Sequence, residues 1–171
     1  EAFPETRLAC EARAAFAQTQ AVDSNLVEAL AACANHVETP DAERGVWHAR
    51  TAEVACAIGD RIRASHHLQA TIAAEAPALD WLHARWRQAK ALGWDDVQSA
   101  IVEHASGRCD EIKAIAEASN KDARAQWLSF LAEGLSVRGE EGSAWTALED
   151  VLASPDAAVS PGSMKRVIER L

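Results

Sequence analysis

Histidine and cysteine are the residues of this sequence with the most versatile chemistry, since imidazole and thiolate groups bind metals and act as bases or nucleophiles. The sequence holds six histidines and four cysteines. A common zinc site requires C-x-x-C pairs or two histidines four residues apart on one helix, and neither spacing occurs. His66 and His67 are adjacent, which places them about 100° apart around a helix. We therefore predict no metal site.

The sequence also lacks the patterns that are typical of catalysis by a nucleophile or by paired carboxylates. No G-x-S-x-G turn and no phosphate-binding glycine loop is present. The pairs Asp95-Asp96 and Glu140-Glu141 open predicted helices, where carboxylates complement unpaired N–H groups and the helix dipole. We predict that the protein is not an enzyme, has no catalytic residues and uses no cofactor.

Two cysteines could form a disulfide. Cys10 and Cys33 lie about equally far from a predicted turn near Asp23, so an antiparallel helix pair would bring them level. A bridge is geometrically allowed if their side chains face each other. The alternative is that both, like Cys56, are small buried apolar residues. The choice depends on the compartment, because a bridge implies an oxidising space such as the periplasm, and reduced thiols imply the cytoplasm.

The composition favours a helical protein that does not bind nucleic acid and does not insert into a membrane. Apolar residues make up 49% and charged residues 25%, Tyr is absent, and Ala, the best helix former, is abundant. The net charge of −9 opposes binding to a phosphate backbone. No stretch approaches the roughly 20 apolar residues that a membrane-spanning helix requires.

Apolar residues recur with the helical period along nearly the whole chain. We predict helices over residues 5–20, 24–37, 42–57, 60–74, 78–92, 95–106, 109–119, 121–138, 141–153 and 161–171. The connections between them are short, which forces neighbouring helices to be antiparallel. The chain is therefore predicted to be a series of helical hairpins.

The hairpins repeat along the sequence. Gly59, Gly93 and Gly139 are each followed by one or more acidic residues and then by a small or apolar anchor. These anchors are Ala64, Val97 and Ala144, and segment 24–40 matches the second half of the unit with Ala29. The four anchors are 35, 33 and 47 residues apart. The first two intervals match a helix–turn–helix repeat of about 34 residues. The third is longer by about one short helix and its turn, and residues 109–119 provide such a helix.

Further residues match the pattern of a known repeat. They are Trp47, Trp81 and Trp127 early in first helices, the turn Gly59-Asp60, the small residues Ala64 and Ala144, and the closing prolines Pro40, Pro77 and Pro155. The chain thus resembles the tetratricopeptide repeat (TPR) family. The resemblance implies an all-α fold, a right-handed α-solenoid of antiparallel hairpins, in a single domain over residues 1–171. Its repeats would cover residues 5–40, 41–77, 78–107 and 121–155, with an inserted helix at 109–119 and a C-terminal capping helix at 161–171.

The resemblance also implies a function. In this family the first helices line a concave surface on which peptides or helices dock. The chain is then a non-enzymatic module that binds a protein or peptide. The residues implied to contact the partner are His48, Ala52, Leu82, Trp86, Lys90, Leu128 and Ala132.

Three related expectations stay open at the level of sequence. Because the chain begins at Glu1 and not at Met, we expect it to be part of a longer protein, such as a bacterial signalling or assembly protein. Open-ended solenoids can pair through uncapped ends, so a homodimer is a further option. The alternative function is a small-molecule-binding sensory domain of a receptor.

Overall fold

The computed structural model describes residues 6–74, 77–153 and Ile168. Within these residues the chain forms nine α-helices and one short 3-10 turn (Ser106–Arg108), and no strand. The helices are α1 (Arg7–Gln20), α2 (Ser24–Asn35), α3 (Asp41–Ala57), α4 (Arg61–Ala74), α5 (Leu79–Ala91), α6 (Asp95–Ala105), α7 (Cys109–Ala118), α8 (Lys121–Val137) and α9 (Glu141–Leu152). The all-α prediction is therefore confirmed. The predicted capping helix at 161–171 lies outside the described residues except for Ile168.

Three helices end in the same way, at the glycines singled out in the repeated turns. Gly59, Gly93 and Gly139 have φ angles of +77°, +68° and +75°, a left-handed conformation that glycine adopts without steric penalty. The N–H of Gly59 donates to the carbonyl of Cys56 (3.2 Å), and the next N–H donates to the carbonyl of Ala55 (2.9 Å). Two equivalent hydrogen bonds form at Gly93 and at Gly139. All three helices therefore end in a Schellman motif.

Short polar side chains begin several of the helices. The carboxylate of Asp23 accepts hydrogen bonds from the N–H groups of Asn25 (2.9 Å) and Leu26 (3.1 Å) at the start of α2. The amide oxygen of Asn120 accepts one from Ala123 (3.0 Å) at the start of α8. Such caps satisfy N–H groups that have no partner inside the helix, and each contributes about 1 kcal/mol.

The described chain falls into two compact units. The first comprises residues 1–78 and 88–94, in which α1 packs on α2, α2 on α3 and α3 on α4. A cluster of small and apolar side chains joins α1 to α2. It contains Cys10, Ala14, Leu26, Ala29, Leu30 and Cys33. Cys10 and Cys33 are thus in one cluster, and both are buried. The bridge between them stays a prediction.

The second unit comprises residues 79–87 and 95–171. Its central element is α8, which packs against α6, α7 and α9. Gly134 allows the close approach of α7, since a Cβ at this position would lie 3.2 Å from the sulfur of Cys109. The largest side chains buried here include Trp86, Phe130, Ile101, Ile112 and Leu148.

The predicted repeat anchors lie inside the protein. Ala29, Ala64, Val97 and Ala144 are all buried, as expected for positions where the two helices of a hairpin meet. Two compact units can also be successive parts of one helical array, so the single-domain organisation stays a prediction.

Candidate functional site

A groove runs along one face of α8 in the second unit, between α7 and α9. It encloses about 320 Å³. Leu128, Leu131 and Leu135 form its apolar floor together with Cys109 and Ala147. The three leucines follow the spacing i, i+3, i+7, which places them on one face of a helix. They therefore form a continuous apolar strip about 10 Å long.

The leucines line the groove because of the rotational position of α8. Their side chains retain 7%, 4% and 8% of their accessible surface, whereas Phe130 and Ala132 point into the core and retain 1% and 0%. The strip is thus part of the core and keeps only a small apolar surface at each position. A partner that covers all three leucines would gain from the hydrophobic effect at each one.

The walls of the groove are polar and more acidic than basic. Four carboxylates and two cations line it: Asp110, Glu117, Glu140, Asp150, Lys113 and Arg124. Glu140 already forms an ion pair with Arg138 at 2.6 Å. Ser143 and Thr146 complete the wall on α9. An apolar floor between charged walls is suited to a partner with one apolar face and polar flanks.

Burial disfavours the nucleophilic thiolate form of Cys109, the cysteine at the floor of the groove. The sulfur of Cys109 donates a hydrogen bond to the carbonyl of Ser106 at 3.1 Å, and burial raises the pKa of Cys109 above its ordinary value, against an opposing contribution from Arg138. The protonated thiol is neither a nucleophile nor a metal ligand. In the part of the chain that the structure describes, no three histidine, cysteine or acidic side chains are grouped as metal ligands.

The structure distributes the predicted partner-binding residues over both units. Leu128 lines the groove. The other buried residues are His48, Ala52, Leu82, Trp86 and Ala132, while Lys90 is half-buried. Ala52, Leu82, Trp86 and Ala132 retain at most 1% of their accessible surface, less than the leucines of the groove. The partner contacts implied for these positions and for His48 stay a prediction. The tryptophan pair of α5 differs in its exposure, since Trp86 is buried and Trp81 is half-buried.

Trp86 belongs to an aromatic cluster inside the second unit. The ring of His83 stacks on Trp127 with centroids 3.9 Å apart, and on Trp86 at 5.5 Å. Phe130 packs against Trp86 at 5.2 Å. The indole N–H of Trp86 donates to a carboxylate oxygen of Glu133 at 3.3 Å. These contacts explain the burial of Trp86 and identify it as a packing residue.

A pair of histidines in the first unit was not anticipated from the sequence. The Nδ1 atoms of His48 on α3 and His67 on α4 lie 2.8 Å apart, and both side chains are buried. One neutral ring donates a hydrogen bond to the other. His66 contacts His67 edge-on with centroids 4.9 Å apart. The sequence contained a signal for this pair, because positions 48 and 67 lie at similar distances on either side of the turn at Gly59 and an antiparallel hairpin brings such positions together.

The histidine pair is held in its neutral form. Burial lowers the pKa of His67 from 6.5 to about 4, with smaller contributions from His48, His66 and Arg63. Burial also lowers the pKa of His48, with smaller contributions from His66 and Arg44 in the same direction. Desolvation disfavours the charged imidazolium, so the pair makes the first unit sensitive to acid.

Among the described residues, the helices are too short or too polar for any of them to cross a bilayer. In comparisons with known proteins, the chain matches no protein-family model, no curated protein and no solved structure. The resemblance to TPR proteins therefore depends on the residues quoted above.

Proposed function

We propose that the protein is a non-enzymatic, TPR-like helical-repeat module that binds a protein or peptide in the groove of the second unit. The observation that carries the proposal is the strip of Leu128, Leu131 and Leu135 between charged walls. The TPR-like repeat is supported by the three matching glycine turns and by the buried anchors. A right-handed solenoid is the arrangement that this kind of repeat adopts.

The groove fits an amphipathic helix with basic flanks. Apolar side chains at i, i+3, i+4 and i+7 would lie on the leucine strip, which is the helix-in-groove mode of recognition. The excess of carboxylates on the walls favours Lys and Arg beside that stripe, because opposite charges speed association and select partners. A partner that covers a strip only about 10 Å long buries a small area, and small interfaces support weak, reversible binding.

The test uses a synthetic helical peptide of about 14 residues with Leu at the stripe positions and Lys elsewhere. We expect binding in the micromolar range by fluorescence anisotropy. Reversing a wall charge with Glu117→Lys or Asp150→Lys should weaken it about ten-fold or more. Glu103→Lys makes the same charge change on α6 outside the groove and should have little effect.

A peptide of the same composition in scrambled order is the control for nonspecific charge attraction. Equal binding of both peptides, or equal effects of the groove and α6 variants, would show that the groove is not the binding site. Circular dichroism of each variant establishes that it is folded.

A small-molecule-binding role is supported by one observation, the groove volume. About 320 Å³ lies at the lower end of the range for small-molecule sites. A metabolite that raises the melting temperature further as its concentration increases, in an effect that Leu131→Ala abolishes, would favour this function.

A further inference from the structure

The sequence of residues 161–171 has the properties expected of a ligand for the groove. Only Ile168 of this segment is described, and it is 50% exposed. The segment carries apolar residues at i, i+3, i+4 and i+7, which are Met164, Val167, Ile168 and Leu171. Lys165, Arg166 and Arg170 outnumber the single acidic residue, Glu169. This is the stripe with basic flanks that the leucine strip and the acidic walls favour.

The segment is attached beside the groove. Helix α9 forms one wall and ends at Leu152, two residues after Asp150, which itself lines the groove. Residues 153–160 separate α9 from the segment, and eight residues span up to about 26 Å. The tether therefore reaches the strip of Leu128, Leu131 and Leu135, which is about 10 Å long.

We propose that residues 161–171 are an internal ligand that occupies the groove and competes with external partners. This inference depends on the function proposed above, because it concerns the regulation of the same site. Ile168 is buried when the segment docks on the leucine strip, and Lys165, Arg166 and Arg170 lie near the wall carboxylates. A partner binds only after it displaces the segment.

Tethering makes even a weak internal ligand effective. A short tether gives an effective concentration of about 1 mM. A segment whose intrinsic Kd is about 100 μM then fills the groove roughly ten times out of eleven, which lowers the apparent affinity of any competitor about ten-fold.

The experiment measures binding of a fluorescent peptide with the sequence of residues 160–171 to the full chain. Three versions of the chain are compared: the wild type, Val167→Asp/Ile168→Asp, which destroys the stripe, and Ser160→Asp/Ser163→Asp, which adds the same charge outside it. We expect the stripe variant to bind the peptide about ten-fold more tightly than the other two. Adding Asp150→Lys to the stripe variant should remove this binding.

Each outcome separates the inference from the proposed function. Equal affinity of the wild type and the stripe variant for the peptide would overturn the inference, and the groove would remain a binding site. Binding of the Leu–Lys helix but not of the 160–171 peptide would also overturn it. Loss of both peptides would refute both proposals. If residues 161–171 compete with the peptide more strongly at higher protein concentration, the segment binds the groove of a second copy of the chain. That outcome would contradict an internal ligand.

Discussion

The Nδ1 atoms of His48 and His67 face each other at 2.8 Å between α3 and α4, and both rings are buried. The pair is a packed polar contact in the first unit and not a surface feature. Since the two rings share one hydrogen bond as neutral groups, each added proton must either break that bond or place a charge in the interior.

This geometry predicts that acid destabilises the protein. The folded pKa of His67, about 4, lies below the ordinary value of 6.5, so the unfolded chain binds the proton first. Stability is therefore full above about pH 6.5 and declines as the pH falls towards 4, by up to about 3 kcal/mol from this residue. Urea denaturation at neutral and acidic pH measures the decline. His67→Gln should reduce the decline, while His104→Gln, the same change outside the pair, should leave it unchanged.

Gly139 and Gly142 form a matched pair for testing backbone conformation. Among the described residues, a Cβ at either position would meet no heavy atom within 4 Å, but only Gly139 has a positive φ, of +75°. Gly139→Ala should therefore destabilise the chain by about 1 kcal/mol, since the left-handed conformation penalises an L side chain. Gly142→Ala in α9 should instead stabilise it by up to about 1 kcal/mol through helix propensity. Thermal denaturation of the two variants should shift in opposite directions.

The contact between Gly134 and Cys109 predicts a coupling between α7 and α8. Alanine at position 134 gains helix propensity, but its Cβ would lie 3.2 Å from the Cys109 sulfur. Gly134→Ala should therefore be close to neutral in the wild type and stabilising by about 1 kcal/mol when combined with Cys109→Ala. A double-mutant cycle by chemical denaturation gives the coupling energy. Additive effects would show that α7 and α8 accommodate the added Cβ without strain.

Salt should distinguish the contributions of the groove walls and floor. Raising the ionic strength from roughly 50 mM to roughly 500 mM should weaken binding of the Leu–Lys helix, because the wall carboxylates are screened. A peptide with Gln in place of Lys should bind more weakly at low salt and show little dependence on salt. If both peptides respond equally, the wall charges do not contribute to recognition.

The buried cysteines predict slow thiol chemistry. All four cysteines are buried: Cys10, Cys33, Cys56 and Cys109. In the folded protein a thiol reagent should therefore label them only as fast as the protein unfolds locally or globally to expose them. After denaturation all four should react at once if the chain is reduced. A loss of two hydrogens in the denatured mass, with Cys10 and Cys33 unlabelled, would instead demonstrate the bridge.

The helices and their ends could be predicted from the sequence because they depend on local interactions. The predicted range 24–37 corresponds to Ser24–Asn35, and 109–119 corresponds to Cys109–Ala118. Gly59, Gly93 and Gly139 ended helices as their positions in the repeat indicated. Propensity, capping and turn geometry act within a few residues, so neighbouring residues carry the information.

The candidate site could be predicted only in part, because it depends on the rotational position of each helix. Leu128 lies in the groove of the second unit, whereas Trp86 points into an aromatic cluster and the neighbouring Trp81 is more exposed. One residue corresponds to about 100° of rotation. An uncertainty of one position is thus enough to exchange a surface side chain for a buried one.

The sequence by itself determined that this chain is helical, where most of its helices begin and end, and which small residues repeat at the contacts between helices. The tertiary structure decided which faces became core, that His48 meets His67, and that α7 and α9 border the leucine strip of α8. The physical reason is that helix formation depends on short-range backbone and capping interactions. Partners distant in sequence are selected by packing, in which the shapes and volumes of all neighbouring side chains must fit together.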